Sequence, residues 1–344
     1  MLMSIPVEEI RRRGSVRDRD VAALRAAYDS REEVTEEEAE ALFALHVATP
    51  VQDPAWADLF IEIITDYIVD QAPPAGYLMA DNSRWLIEQV SAFGRIETST
   101  EFNLLLHVLE RARWSPPTLS AFALDQIRHA VERGSGPLRA TRNVPPGTIA
   151  ANEVALASRI LGAAGGDTSL ALTRAEADAL LAVNRAIDRD GASPAWSELL
   201  VRTIGSSVLA SLGHAVAPRR EIIDTLGNPA GAAGLISVLI GDGMHRFSRP
   251  GRCGDASDTA CQVWRSARLL TPEEQSLMRL ERQRLEIVTN EVIEDASDIW
   301  LIDALAQSRP DDETEAALLD FVIREASQLS PEIEQYARRR AIAA

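Results

Sequence analysis

Apolar residues recur three and four positions apart along most of this chain, the period of a helix that buries one face. Leu59 and Phe60, Ile63 and Ile64, Tyr67 and Ile68 form one such stripe. Leu199 and Leu200, Thr203 and Ile204, then Val208, Leu209 and Leu212 form another. Alternating strand patterns are absent; only Leu235–Ile240 reads as a buried strand, and a short helix accounts for that run as well. The pattern predicts an all-α protein.

Helix starts are clearly marked. Thr35 with Glu38, Thr173 with Glu176 and Thr271 with Glu274 are T-x-x-E capping boxes, in which the Thr hydroxyl accepts from the N3 amide and the Glu accepts from the Thr amide. Asp53-Pro54, Ser193-Pro194 and Thr271-Pro272 put proline at the first helical position, where no amide is needed. Two of the boxes belong to a longer duplication. The run T-E-E-E-A-E-A-L-F-A-L, a turn and P-A-W-A-D-L-F-I over 35–61 matches T-R-A-E-A-D-A-L-L-A-V, a turn and P-A-W-S-E-L-L-V over 173–201. Trp56 and Trp196 sit in the first turn of the second helix of each pair, where an indole packs into the core. A fainter match follows: Trp85-Leu86-Ile87-Glu88 with Trp300-Leu301-Ile302-Asp303, Thr100-Glu101 with Thr314-Glu315, and Ser115-Pro116 with Ser330-Pro331.

The expected organisation is two related multi-helix units, built of duplicated helix-turn-helix pairs, with the second interrupted by an insertion. An N-terminal tail takes 1–15, helical unit 1 takes 16–134, a Gly/Pro-rich linker takes 135–147 and helical unit 2 takes 148–344. The second pair of tryptophans is much farther apart than the first, which places an insertion of about 75 residues between about 225 and 293.

Composition narrows the function. Hydrophobic residues at 46% and charged residues at 25% are ordinary for a well-packed globular chain. All 35 basic residues are arginine and face 52 acids, a net charge of −17 that repels phosphates and disfavours nucleic acid as a partner. The start, MLMSIPVEEIRRRGS, lacks the apolar stretch of a signal peptide. The longest apolar run, Ala230–Ile240, is too short to span a bilayer. Two cysteines without an export signal point to a reducing, cytoplasmic setting.

Three groups of residues invite a chemical reading. Asp188 and Asp190 would fill positions one and three of a calcium-binding loop, but Ser193 stands where glycine is required and Leu199 where a bidentate Glu belongs. A helix–helix turn with capping side chains is the simpler account. His245, Cys253 and Cys261 recur eight residues apart, a mixture zinc accepts although structural sites use closer pairs. Arg246, Arg249 and Arg252 beside Gly241-Asp242-Gly243 could hold a carboxylate or phosphate. The 227–270 stretch around them has five arginines and three aspartates, opposite in sign to the rest of the chain. Walker, Rossmann, H-E-x-x-H, G-x-S-x-G and C-x-x-C patterns are all absent. The sequence therefore favours a non-enzymatic interaction or regulatory module, without cofactor or membrane, whose partner is another protein. A small-molecule, anion or metal sensor using the 227–270 segment is the alternative, and an enzyme of unrecognised type the third. An exposed apolar patch along one groove is the expected mark of the first.

Overall fold

Thirteen residues after the proposed tail begins, the chain leaves its first helix through a left-handed glycine, and the same device returns near the middle of the molecule. The computed structural model describes residues 7–30, 33–140, 143–164, 172–212, 214, 216–226, 271–291, 297–309, 311–326 and 331–343. Fifteen α-helices run through these residues. The first seven are α1 (Val7–Arg13), α2 (Asp18–Asp29), α3 (Glu36–Ala48), α4 (Pro54–Thr65), α5 (Ala80–Val90), α6 (Ser99–Arg111) and α7 (Pro117–Arg133). Then come α8 (Ala151–Ala164), α9 (Arg174–Ala186), α10 (Pro194–Ser211) and α11 (Arg219–Leu226). The last four are α12 (Pro272–Glu291), α13 (Ser297–Ala306), α14 (Glu313–Glu325) and α15 (Pro331–Ala343). The fold is all-α. Its one small ladder among the described residues pairs β1 (Ser15–Val16) with β2 (Val51–Gln52) in parallel, two residues too short to leave an alternating pattern.

The capping chemistry sets the helix starts. Thr35 and Thr173 accept from the Glu38 and Glu176 amides, and Thr271 does the same for Glu274 at 3.2 Å. Asp53 and Ser193 cap α4 and α10 ahead of their prolines. A further box begins α6, where Thr98 and Glu101 bond reciprocally at 3.2 and 3.0 Å. Thr98 and Asp312, the caps of α6 and α14, each lie two residues before the matched Thr100-Glu101 and Thr314-Glu315. α4 continues into a π-helical turn over Asp66–Gln71, which brings Gln71 to the Val34 amide at 2.7 Å.

Helices meet in two parallel series. α2 packs on α4 and α4 on α6; α8 packs on α10 and α10 on α14. α5 lies against α7, and α13 against α15. Trp56 and Trp196 are both fully buried in one continuous apolar core that runs from Ile10 to Ile333. Around Trp56 the core is aromatic, with Phe43 edge-on to Phe60 at 5.1 Å and Trp85 edge-on to Phe43 and Tyr67 at 5.7 and 5.5 Å. Two joints are tighter still. A Cβ on Gly205 would stand 2.5 Å from Phe321 Cδ1, so only glycine lets α10 reach α14 this closely. A Cβ on Gly191 would overlap the Gly147 carbonyl oxygen, which presses the 187–193 turn onto the start of the α8 segment.

Bonds from Arg139 tie part of the stretch expected to be a linker to the start of α8. Arg139 is buried and forks onto Glu153 through two guanidinium nitrogens, while donating to the carbonyls of Pro145 and Thr148. Glu153 also accepts the Ala150 amide at 2.8 Å and so caps α8. α7, placed in unit 1 by sequence, makes the most extensive helix contact among the described residues, and it makes it with α9.

Candidate functional site

Polar side chains at the helix starts organise the edge on which candidate sites fall. His46, near the end of α3, is buried; its Nδ1 faces Trp56 Nε1 and Gln52 Nε2, each at 3.2 Å, and its Nε2 meets the Thr98 hydroxyl at 3.4 Å. Burial lowers the His46 pKa, and two N–H donors on Nδ1 make that nitrogen an acceptor. Asn184, near the end of α9, stands in a matching network. Its Oδ1 accepts from Trp196 Nε1 at 3.1 Å, and its Nδ2 donates to Asp312 Oδ2 at 3.0 Å. His46 and Asn184 each lie eleven residues after a capping threonine, and Thr98 and Asp312 each cap the helix that packs across the pair. The sequence offered the spacing, but two different side chains hid the shared role.

A second correspondence also escaped the sequence comparison. Gly14-Ser15-Val16 and Gly147-Thr148-Ile149 both begin with a glycine at positive φ, 69° and 72°. Each precedes a helix whose acidic N3 residue, Asp20 or Glu153, pairs with an arginine, Arg13 or Arg139. Asp53 donates its amide to the Val16 carbonyl at 3.0 Å, and Ile149 donates its amide to that of Gly191 at 3.1 Å.

Asp188 and Asp190 lie exposed on the turn between α9 and α10. Asp188 borders a cleft of about 280 Å³ between that turn and the start of α14, shared with Arg189, Arg309, Asp311 and Asp312. Its polar groups largely engage one another. Arg309 donates to the Ile187 carbonyl, Arg189 meets Asp311 at 3.4 Å, and Asp312 is occupied by Asn184 and by the Glu315 amide at 3.0 Å. Among the described residues no group of three or more His, Cys, Asp or Glu side chains is arranged to hold a metal ion. His245, Arg246, Arg249, Arg252, Cys253 and Cys261 lie outside the described residues, as does Leu235–Ile240.

The helices that flank the 227–270 segment are held at opposite places. On the near side Arg219, the first residue of α11, reaches Glu176 with two nitrogens at 2.9 Å each. Burial alone would raise the Glu176 pKa, but the Arg219 charge, its hydrogen bonds, the Thr173 amide and the Ser120 hydroxyl outweigh it and hold the carboxylate below its ordinary range. On the far side α12 reaches the start of α5 and the loop after α6, where Gln283 accepts the Ala80 amide at 3.3 Å and Arg284 lies 5.9 Å over the Trp114 ring.

The end of α3 and the turns beside it carry exposed apolar side chains. Val47, Val51 and Phe93 are exposed, Phe93 completely. Val47 follows His46 and Phe93 lies five residues before Thr98; in the other series Arg185 follows Asn184 and Gln307 lies five residues before Asp312. Arg185 donates to Gln307 at 3.3 Å. One edge is thus closed by polar contacts, while at the equivalent positions the other displays a valine and a phenylalanine. No helix among the described residues is long and apolar enough to cross a membrane. Comparison with known proteins gives no matching family, no matching curated protein and no matching solved structure.

Proposed function

We propose that this chain is a non-enzymatic interaction module made of two related helical units, and that it engages another protein along the unit 1 edge. The observation that carries this reading is the exposure of the apolar side chains Val47, Val51 and Phe93, of which Val47 and Phe93 stand at the positions that in the other series hold the Arg185–Gln307 contact. Exposed apolar groups gathered at one edge mark association surfaces more often than isolated ones do. Support for two related units comes from the repeated Trp–His/Asn–cap networks, the paired left-handed glycines and the parallel helix contacts.

The test uses the full chain and a Val47→Asp/Val51→Asp variant as baits under identical conditions. Both side chains lie on the surface, so the variant should keep its helical content and thermal midpoint. A partner held stoichiometrically by the wild type and at least tenfold more weakly by the variant supports the reading. Equal binding by both moves the interface elsewhere, and substrate turnover by the purified chain overturns a non-enzymatic role.

A further inference from the structure

Local chemistry alone starts and braces α12. Thr271 accepts the Glu274 amide at 3.2 Å, Glu274 accepts the Thr271 amide at 2.9 Å, and Glu281 meets Arg284 at 3.6 Å one turn on. Its hold on the rest of the molecule is slight by comparison. Over Pro272–Arg284 only Ser276 and Leu280 are buried, and Leu280 stands apart from the continuous apolar core. Leu277 and Met278 of the same helix are 46% and 59% exposed. Among the described residues no helix lies extensively along α12.

Two neighbouring side chains fasten it. Gln283 accepts the Ala80 amide at 3.3 Å, and Arg284 stands 5.9 Å over the Trp114 ring, at the outer limit of a cation–π contact. Ala80 is the first residue of α5, so its amide has no acceptor within its own helix, and Met79 at the N-cap makes no side-chain cap bond. Gln283 thus supplies from α12 the kind of bond that α3, α4 and α6 take from their own Thr35, Asp53 and Thr98. The Leu78 amide donates to the Trp114 carbonyl at 3.0 Å, so the α5 start and the indole belong to one surface. Lifting α12 strands no charge, because Arg284 keeps Glu281 and water can take the Ala80 amide. α5 itself stays on the core through Leu86 and Val90.

We propose that α12 is a releasable strap, which closes over the α5 start and the Trp114 ring in one state and lifts off as a unit in another, leaving the core intact. The surface it uncovers is an indole face beside an unpaired amide. In place, α12 shields a site suited to a guanidinium next to a hydrogen-bond acceptor, the two groups that Arg284 and Gln283 themselves present.

Hydrogen exchange of the full chain, read at single amides, tests this with the wild type, Arg284→Ala and Leu280→Asp. In the wild type the Ala80 amide should exchange at least about tenfold faster than the amides of α6 and α7. Low urea should accelerate theirs and not its own, because lifting a strap exposes little surface. Arg284 does not touch the Ala80 amide, yet Arg284→Ala should speed its exchange about threefold, since the helix moves as one body and loses its cation–π contact. Leu280→Asp should bring Ala80 to the rate of an unprotected amide while the protein keeps a cooperative melting transition. Equal rates and equal urea dependence at Ala80 and in α6 and α7 overturn the strap, as does an Ala80 rate that Arg284→Ala leaves unchanged. Loss of the cooperative transition in Leu280→Asp makes α12 a part of the core and overturns it too.

Discussion

Two N–H donors aimed at one ring nitrogen leave His46 no room for a second proton. Trp56 has Nδ1 as its acceptor, and Gln52 shares Nδ1 with the His46 carbonyl at 3.0 Å, so protonation would set a charged N–H against them in a buried site. The folded pKa therefore lies below the ordinary 6.5, and the unfolded chain binds the extra proton more readily. The contribution is fully present above about pH 6.5 and declines as pH falls below it. Asn184 does the same work in the other series without a titrating group. His46→Asn should therefore fold with little loss at pH 7.5 and show a flatter decline in stability between pH 6.5 and 5. His46→Ala should lose about 1–3 kcal/mol, because it strands the buried Trp56 N–H. Urea unfolding of both variants at the two pH values checks this; an unchanged acid limb in His46→Asn would refute the tautomer argument.

At the level of helices, the sequence was legible wherever local chemistry decides. Capping boxes and Asp-Pro or Ser-Pro starts lie within four residues, so Thr35, Thr173, Thr271, Asp53 and Ser193 mark real helix starts. The caps of α6 and α14, Thr98 and Asp312, escaped the sequence match because they are different side chains, and similarity of type was the only guide. Contacts made across long separations left no local trace. Gly205 reads as a weak point in a helix, yet it is the place where α10 meets Phe321 of α14. Gly205→Ala should improve local helix propensity and still destabilise the protein by about 1–3 kcal/mol through overpacking. Combining it with Phe321→Leu should recover part of that loss; additive effects in a double-mutant cycle would show that the two residues do not compete for space.

For the molecule as a whole, the sequence conveyed the helical class and drew attention to 227–270, but exposure was beyond its reach. Val47 and Phe93 look like any other apolar residues in a chain that is 46% hydrophobic. Only the packed structure shows which of them the core leaves out. The 227–270 segment, proposed above as the alternative ligand-binding element, is flanked by α11 tied to Glu176 and α12 reaching Ala80 and Trp114. The position of α7 bears on the boundary drawn at the Gly/Pro-rich stretch. One face of this helix lies on α5 and α6, and another forms the wall against which α9 rests. Neither half can let go of it without exposing apolar surface in both. The protein should consequently melt in a single transition, with calorimetric and van't Hoff enthalpies equal, instead of in two steps. A cut made at the apparent seam would leave the C-terminal fragment without its wall, so the shortest piece able to fold by itself should begin near Ser115 and take α7 with it.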